Sequence, residues 1–337
     1  MPITIKNIAK SAKVSIATVS RVLNDPLRVS DEKRIRVEKA IEELGYKPNA
    51  LARGLIKGSI ETIGILIQDI NNLFYPEVIR GIENELDKNG YSVFLCNTDG
   101  NIEKEKKYIA TLRNKNVDGI IFLGTRHVGL KENEHIIDLS YEMPIMLIND
   151  YILGSDVYTV MTDEVNGAYK AINYLIGLGH RKIAFINGEG DYSTFQYKFE
   201  GYKKALLSNE IEINDRYIFK AEPYEKSACD AAKKMLSLAK PPTAIFTASD
   251  QMAIGVMKAI YEYGLAIPKD FSLIGFSDAP IAESLYPELT TVNQFPYKTG
   301  KLAAEVILRL VNKEVIEQKK IIIEPQLSLR NSCRQIE

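Results

Sequence analysis

From residue 62 the chain alternates, for more than 200 residues, between short β-branched runs and longer stretches of helical apolar spacing. Few folds tolerate that pattern. Thr62-Ile63-Gly64-Ile65-Leu66-Ile67 is almost continuously apolar, as a strand buried on both faces requires. Further strands are expected at 91–95, 119–123, 145–148 and 158–160, with helices over 76–89 and 102–114. The second half repeats the theme. Helices are expected over 165–178, 197–209, 226–238, 252–263 and 296–311, and strands at 183–186, 217–219, 244–247, 271–276 and 289–292. Sustained alternation of this kind means parallel sheets with helices on both faces. The strands are too many for one sheet, and 337 residues exceed one simple core. Two doubly wound α/β lobes are expected.

The first 60 residues obey a different rule. Ile5, Ile8, Ala9 and Ala12 recur at helical spacing behind Thr4, and Lys13-Val14 reads as a short turn. Ser15 is a natural N-cap for a second helix, since its hydroxyl can accept from the free N–H groups of the first turn. In that helix Val19, Val22 and Leu23 form one apolar face, while Ile16, Ala17, Ser20 and Arg21 fall largely on the other. Asn24-Asp25-Pro26 ends it. Ser30 opens a third helix carrying Ile35, Val37, Ala40, Ile41 and Leu44, and Gly45 is placed to stop it. Three short helices, the first two joined by a tight turn, make a helix-turn-helix unit. The segment from Asn49 to Leu55 could form one more helix of about two turns, too short to persist unless it docks on something.

Charge divides the chain at the same place. Residues 1–60 hold twelve Lys and Arg against six Asp and Glu, a net of +6, while the remainder carries −7. A basic head on an acidic body suggests that the head alone meets a polyanion. Cys96, Cys229 and Cys333 are scattered and show neither a disulfide framework nor metal spacing, which fits a reducing cytoplasm. The opening residues have no apolar core of a signal peptide, and no apolar run reaches the ~20 residues a membrane span needs.

Several stretches together resemble the LacI–GalR family of bacterial transcriptional regulators, over nearly the whole length. They are Thr4-Ile5-Lys6-Asn7-Ile8-Ala9, Val14 to Asn24, Val29-Ser30 and Leu44 to Arg53 in the head. In the body they are Gly179 to Ala184, Glu200-Gly201-Tyr202, Gly275-Phe276 and Pro287 to Val292. The resemblance implies a homodimeric repressor that binds a near-palindromic operator in double-stranded DNA. It implies a helix-turn-helix domain at 1–47, a hinge helix and linker at 48–60, and a core at 61–337 like periplasmic sugar-binding proteins. Within the core one lobe would take about 61–160 and 291–322, and the other about 161–290 and 323–337. Thr4, Ser15, Ser20 and Asn24 would hold phosphates, Ile16, Ala17 and Arg21 would face bases, and Thr18 and Tyr46 would complete the DNA-facing set. Arg21 can donate two bonds to a guanine edge. Ile16 and Ala17 could instead be core residues, but Val19, Val22 and Leu23 already supply a core face. Leu55 would wedge into the minor groove with Asn49 and Ala52 on its floor.

Ligands of open α/β sheets bind beyond the carboxyl ends of the strands. That rule marks Asp69, Asn71, Phe74 and Tyr75 after the first strand, Asn149 after the fourth, Lys198, Ser249-Asp250, and Ser277-Asp278 as the effector site. Sugar-binding members of the family usually carry Arg where this chain has Lys198, and Asp where it has Ser277. Asn149 and Ser249 likewise replace a frequent Asp and Asn. Fewer carboxylates point to a small acidic or phosphorylated sugar in place of a neutral disaccharide. No cofactor is expected. A relative, catabolite control protein A, uses a phosphorylated carrier protein as corepressor, a mode that no residue here establishes. A Rossmann enzyme is the main rival, but Gly188-Glu189-Gly190 lacks the third glycine, Ser193 standing there. His127, His135 and His180 have no ligand spacing, and His180 reads as structural.

Overall fold

The computed structural model describes residues 3–24, 28–46, 59–126, 131–152, 155 and 157–336. The chain divides into two units, Met1–Ile60 and Glu61–Glu337. The described part of the first is a bundle of α1 (Ile5–Ser11), α2 (Ile16–Asn24) and α3 (Asp31–Leu44). Ile8, Ala9, Ala12, Val19, Val22, Val37 and Ala40 form its core. Ser15 Oγ accepts from the Thr18 backbone N–H at 3.1 Å, so it caps α2. Gly45 takes the left-handed conformation (φ 61°) that ends α3, and Tyr46 N–H reaches back to the Ile41 carbonyl at 3.0 Å. Arg36 donates to the Ala12 carbonyl at 3.0 Å and the Lys13 carbonyl at 2.8 Å. It thereby ties α3 to the turn between α1 and α2, satisfying carbonyls that a helix end leaves free. Ile35, read on sequence as part of the apolar face, is 58% exposed. The hinge segment around Asn49, Ala52 and Leu55 lies outside the described residues.

The second unit holds two six-stranded sheets. The first is built from β1 (Thr62–Ile67), β2 (Ser92–Asn97), β3 (Gly119–Leu123), β4 (Ile145–Ile148), β5 (Tyr158–Thr162) and β11 (Lys320–Ile323), in the order 11-5-4-3-1-2 and parallel throughout. Its helices are α4 (Tyr75–Lys88), α5 (Ile102–Asn114), α6 (Glu134–Ser140) and α11 (Pro296–Val311). The second sheet is built from β6 (Ile183–Gly188), β7 (Ile218–Ala221), β8 (Ala244–Thr247), β9 (Ser272–Ser277), β10 (Thr290–Asn293) and β12 (Gln326–Ser328), in the order 12-10-9-8-6-7. β12 runs antiparallel to β10. Helices α7 (Glu164–Gly177), α8 (Ser193–Ser208), α9 (Glu225–Leu236) and α10 (Asp250–Glu262) belong to this lobe. This is the α/β organisation that the alternation demands.

In both sheets the strand order reverses beside the first strand, at β1/β3 and at β6/β8. Loops diverge there and open a crevice at the carboxyl ends. The chain changes sheet after Thr162, after Asn293 and after Ile323. Residues 291–293, assigned on sequence to the first lobe, complete β10 in the second, where Thr291 sits opposite Gly275 of β9. The sequence reading also passed over α6, β11 and β12, elements of seven, four and three residues. No helix among the described residues is long and apolar enough to cross a membrane.

Candidate functional site

In the head, α2 has two faces of opposite character. Val19 is fully buried, while Ile16 is 45% exposed. Ala17, Arg21, Ser15 and Thr4 are exposed too. Ile16 and Ala17 are therefore not core residues. An exposed β-branched side chain costs helix propensity and apolar burial, so its place on this face calls for a partner outside the bundle. Thr18 and Ser20 are half-buried, with Thr18 Oγ1 2.9 Å from Ser15 Oγ. Thr4 is held at the start of α1 by Asn7, whose Oδ1 accepts from Thr4 N–H at 2.9 Å and from its hydroxyl at 2.7 Å. Tyr46 packs part-buried against the head's core. Asn24 is the last residue of α2.

In the second unit a cavity of about 520 Å³ opens between the lobes. Asp69, Asn71, Phe74, Tyr75, Asn149, Lys198, Ser249 and Ser277 all line it. Asn149 follows β4 with φ 66°, in a left-handed turn, and lines the cavity. Phe74 and Tyr75 meet edge to face at 5.7 Å. Burial pushes the Tyr75 hydroxyl well above its ordinary pKa, so it stays a donor. The lobes are also bonded directly. Asp150 Oδ2, at the end of β4, accepts from the Ser193 hydroxyl at 2.5 Å. Thr194 Oγ1 lies 3.0 Å from Thr125 Oγ1, and the Tyr224 hydroxyl donates to Asp69 Oδ2 at 3.0 Å.

A match to "Bacterial regulatory proteins, lacI family" covers residues 4–49, and one to "Periplasmic binding protein-like domain" covers 172–333. The chain is 36% identical over 335 residues to the transcriptional regulator RegA of Clostridium saccharobutylicum, covering 98% of this chain and 99% of that protein. It is 35% identical over 336 residues to catabolite control protein A of Priestia megaterium, covering 99% and 100%. The chain belongs to the LacI family. A crystal structure of the Lac repressor dimer bound to operator and the anti-inducer ONPF superposes with a TM-score of 0.90 at 25% identity, covering 99% of this chain and 100% of that one. The protein is thus a LacI-family DNA-binding transcriptional regulator with a periplasmic-binding-protein-like core, and it is not an enzyme.

Two residues expected in the effector site do not line the cavity. Asp250 is buried at the start of α10 and accepts from the Thr291 hydroxyl at 2.5 Å and the Ala279 N–H at 2.8 Å. Burial pushes its carboxyl up to about 6. A Cβ on Gly275 would stand 2.2 Å from Asp250 Oδ1, so the glycine of Gly275-Phe276 makes room for this carboxylate. Asp278 pairs with Arg330 at 2.8 Å and accepts from Asn293 Nδ2 at 2.8 Å and Ser328 Oγ at 2.6 Å. Both aspartates tie β9 and β10 together, because a strand-end carboxylate can turn back to its own sheet as readily as into a cleft. His180, fully buried between Thr243 Oγ1 and Ser272 Oγ at 2.9 Å each, is structural in the same sense.

The cavity also holds residues that the sequence did not single out. Gln68, Thr125, Tyr192, Phe195, Tyr224 and Gln294 line it. The most consequential is Glu164, the first residue of α7, only 3% exposed. Lys198 Nζ donates to its Oε1 at 3.3 Å and Gln294 Nε2 does so at 3.1 Å. Asp69, Asp99, Glu164, Glu189 and Glu222 line the cavity against Lys198, with Asp99 paired to Lys104 outside the lining. The excess of carboxylates does not favour an acidic or phosphorylated ligand.

Proposed function

We propose that this regulator is a cytoplasmic homodimeric repressor that binds a near-palindromic operator and responds to a small neutral sugar or sugar derivative in the interlobe cleft. One observation carries the DNA half: α2 buries Val19 and Val22 while presenting Ile16, Ala17 and Arg21 to solvent. A helix so divided can lie in a major groove, Arg21 reading a guanine while Thr4, Ser15, Ser20 and Asn24 hold phosphates. Thr18 and Tyr46 then support that face. Asn49, Ala52 and Leu55 would enter the minor groove as the hinge of segment 48–60, formed only when two copies bring their hinges together. A gel shift with a palindromic duplex carrying a central CG step tests this. Wild-type protein should shift it with sequence preference and Arg21→Ala without. If no genomic fragment is shifted specifically, the reading fails.

The effector half rests on the lining. Aromatic faces at Phe74 and Phe195 suit the apolar side of a sugar ring, and the acidic groups accept from hydroxyls. A ligand that contacts both lobes favours their closure, and only such differential affinity can shift a regulator between states. Calorimetric titration with neutral sugars, sugar acids and sugar phosphates separates the classes; tighter binding of an anionic sugar than of its neutral parent would overturn this half.

A further inference from the structure

We propose that Glu164, paired with Lys198, determines what the cleft accepts: its free oxygen takes a hydrogen from a ligand hydroxyl and turns away ligands that bring a carboxylate or phosphate to that end of the cavity. The inference rests on the reading of the cleft as a sugar-type effector site.

The geometry is specific. Glu164 lies just past the crossover from β5, fixed by Asp163, whose carboxylate caps α7 by accepting from Asn166 N–H at 2.9 Å. Lys198 reaches it from α8, and Gln294 from the crossover after β10. Both donors go to Oε1. Oε2 is buried without a hydrogen-bond partner among the described residues. Asn149 Oδ1, on the same cavity, is in the same condition. A buried acceptor left unpaired is costly, and two of them on one cavity ask for a ligand that supplies two donors. Hydroxyls do so; a carboxylate or phosphate brings acceptors instead. Lys198 offers an anion little, because its ammonium is already held between Glu164 and the Phe276 ring, 4.6 Å from the ring centre. Here the lysine serves the glutamate and is not a free anion site.

The pair also predicts a proton linkage. Burial pushes the Glu164 carboxyl up to about 7, opposed by Lys198 and by the Lys198 and Gln294 hydrogen bonds, and reinforced by the Asp150 charge. Tyr75 of α4 and Tyr197 of α8 also feel the Glu164 charge, and burial holds both phenols neutral. Arg126 is engaged by Glu105 in a two-pronged contact at 2.9 and 2.8 Å. A ligand hydroxyl on Oε2 favours the ionised carboxylate. Neutral-sugar binding should therefore release a proton and strengthen as pH rises through about 7.

The test is calorimetric titration of the full chain with D-ribose, D-glucose, gluconate and glucose 6-phosphate at acidic, neutral and alkaline pH, in two buffers of different ionisation enthalpy. Wild-type protein should bind a neutral sugar more tightly on the alkaline side, with buffer-dependent heat, and reject its anionic counterparts. Glu164→Gln should weaken the neutral sugar about tenfold, abolish the pH and buffer dependence, and narrow the gap to the anions. The double variant Glu164→Gln/Lys198→Met removes both charges together and guards against a folding defect from an unpaired lysine; it should show the same loss of pH dependence. If a neutral sugar binds wild type and both variants alike at every pH, Glu164 has no such role while the sugar reading stands. If wild type binds gluconate or glucose 6-phosphate better than glucose, the sugar reading and this inference both fall. If none of the four binds, the sugar reading falls, and Glu164 loses the ligand on which its role depends.

Discussion

In the head, the outward-facing side chains proposed to read DNA, Ile16, Ala17 and Arg21, lie within six positions of one another on a single helix. In the cleft, Phe74, Asn149, Glu164, Lys198, Ser249 and Gln294 are drawn from a span of more than 200 residues and from both lobes. The first arrangement is local and rigid. Once α2 packs Val19 and Val22, the direction of Arg21 follows from 3.6 residues per turn. The second exists only while two sheets are held together by contacts such as Asp150 with Ser193 and Thr125 with Thr194. On the proposed reading, recognition of DNA can therefore be altered one residue at a time, whereas recognition of the effector would also measure lobe closure.

The contrast can be broken most severely at Val19. Val19→Asp places an unpaired charge in the small core formed with Ile8, Ala12 and Val37. Such burial costs upward of about 4 kcal/mol, comparable to what so small a unit can hold. Operator shifts should vanish while calorimetric sugar binding by the core persists; loss of both would show that the two units do not fold independently. Arg21→Ala should spare the fold and cost ~1–3 kcal/mol of discrimination at one base pair, measured as the ratio of specific to nonspecific affinity at fixed salt.

Ser193→Ala combined with Thr125→Val tests the opposite side. Each lost interlobe hydrogen bond should weaken sugar binding by ~0.5–1.5 kcal/mol, with no change in which operator bases matter. An effect of similar size is expected in the head from Arg36→Met, which frees the turn carbonyls of Ala12 and Lys13. About 1–2 kcal/mol of head stability should be lost, lowering affinity for all duplexes alike in the gel shift.

The empty core should also respond to pH in a defined direction. Glu164 at about 7 and Asp250 at about 6 both lie above their ordinary values of 4.5 and 3.8, raised by burial. The folded state therefore binds more protons than the unfolded state between those values, and stability falls as pH rises through that window. Thermal melts from acidic to neutral pH should show the decline, and Glu164→Gln should flatten its upper end. The same substitution thus removes the pH slope of the ligand-free protein near neutrality while weakening its sugar complex, a pairing that a packing defect would not produce.

Much of this was legible in the chain. The runs at 119–123, 145–148 and 244–247 and the helices 102–114 and 296–311 match the observed elements residue for residue, because each is long or apolar enough for its period to show. β11 and β12 were not read, since both are edge strands that follow the last helix and so fall outside the strand–helix alternation. α8 begins at Ser193, four residues before the position inferred from spacing. That first turn brings Ser193 and Thr194 to the other lobe and Phe195 into the cavity.

By itself the sequence determined the head, its outward face, the strand–helix order and the family. Each of these depends on residues close together in the chain, where helical and strand periods act. Only the tertiary structure decided that Asp250 and Asp278 turn inward to brace β9 and β10, and that Glu164 meets Lys198 on one wall of the cleft. A carboxylate after a strand can serve a ligand or its own sheet. Which it serves depends on partners dozens of residues away, such as Thr291 for Asp250 and Arg330 for Asp278, and no local period carries that information.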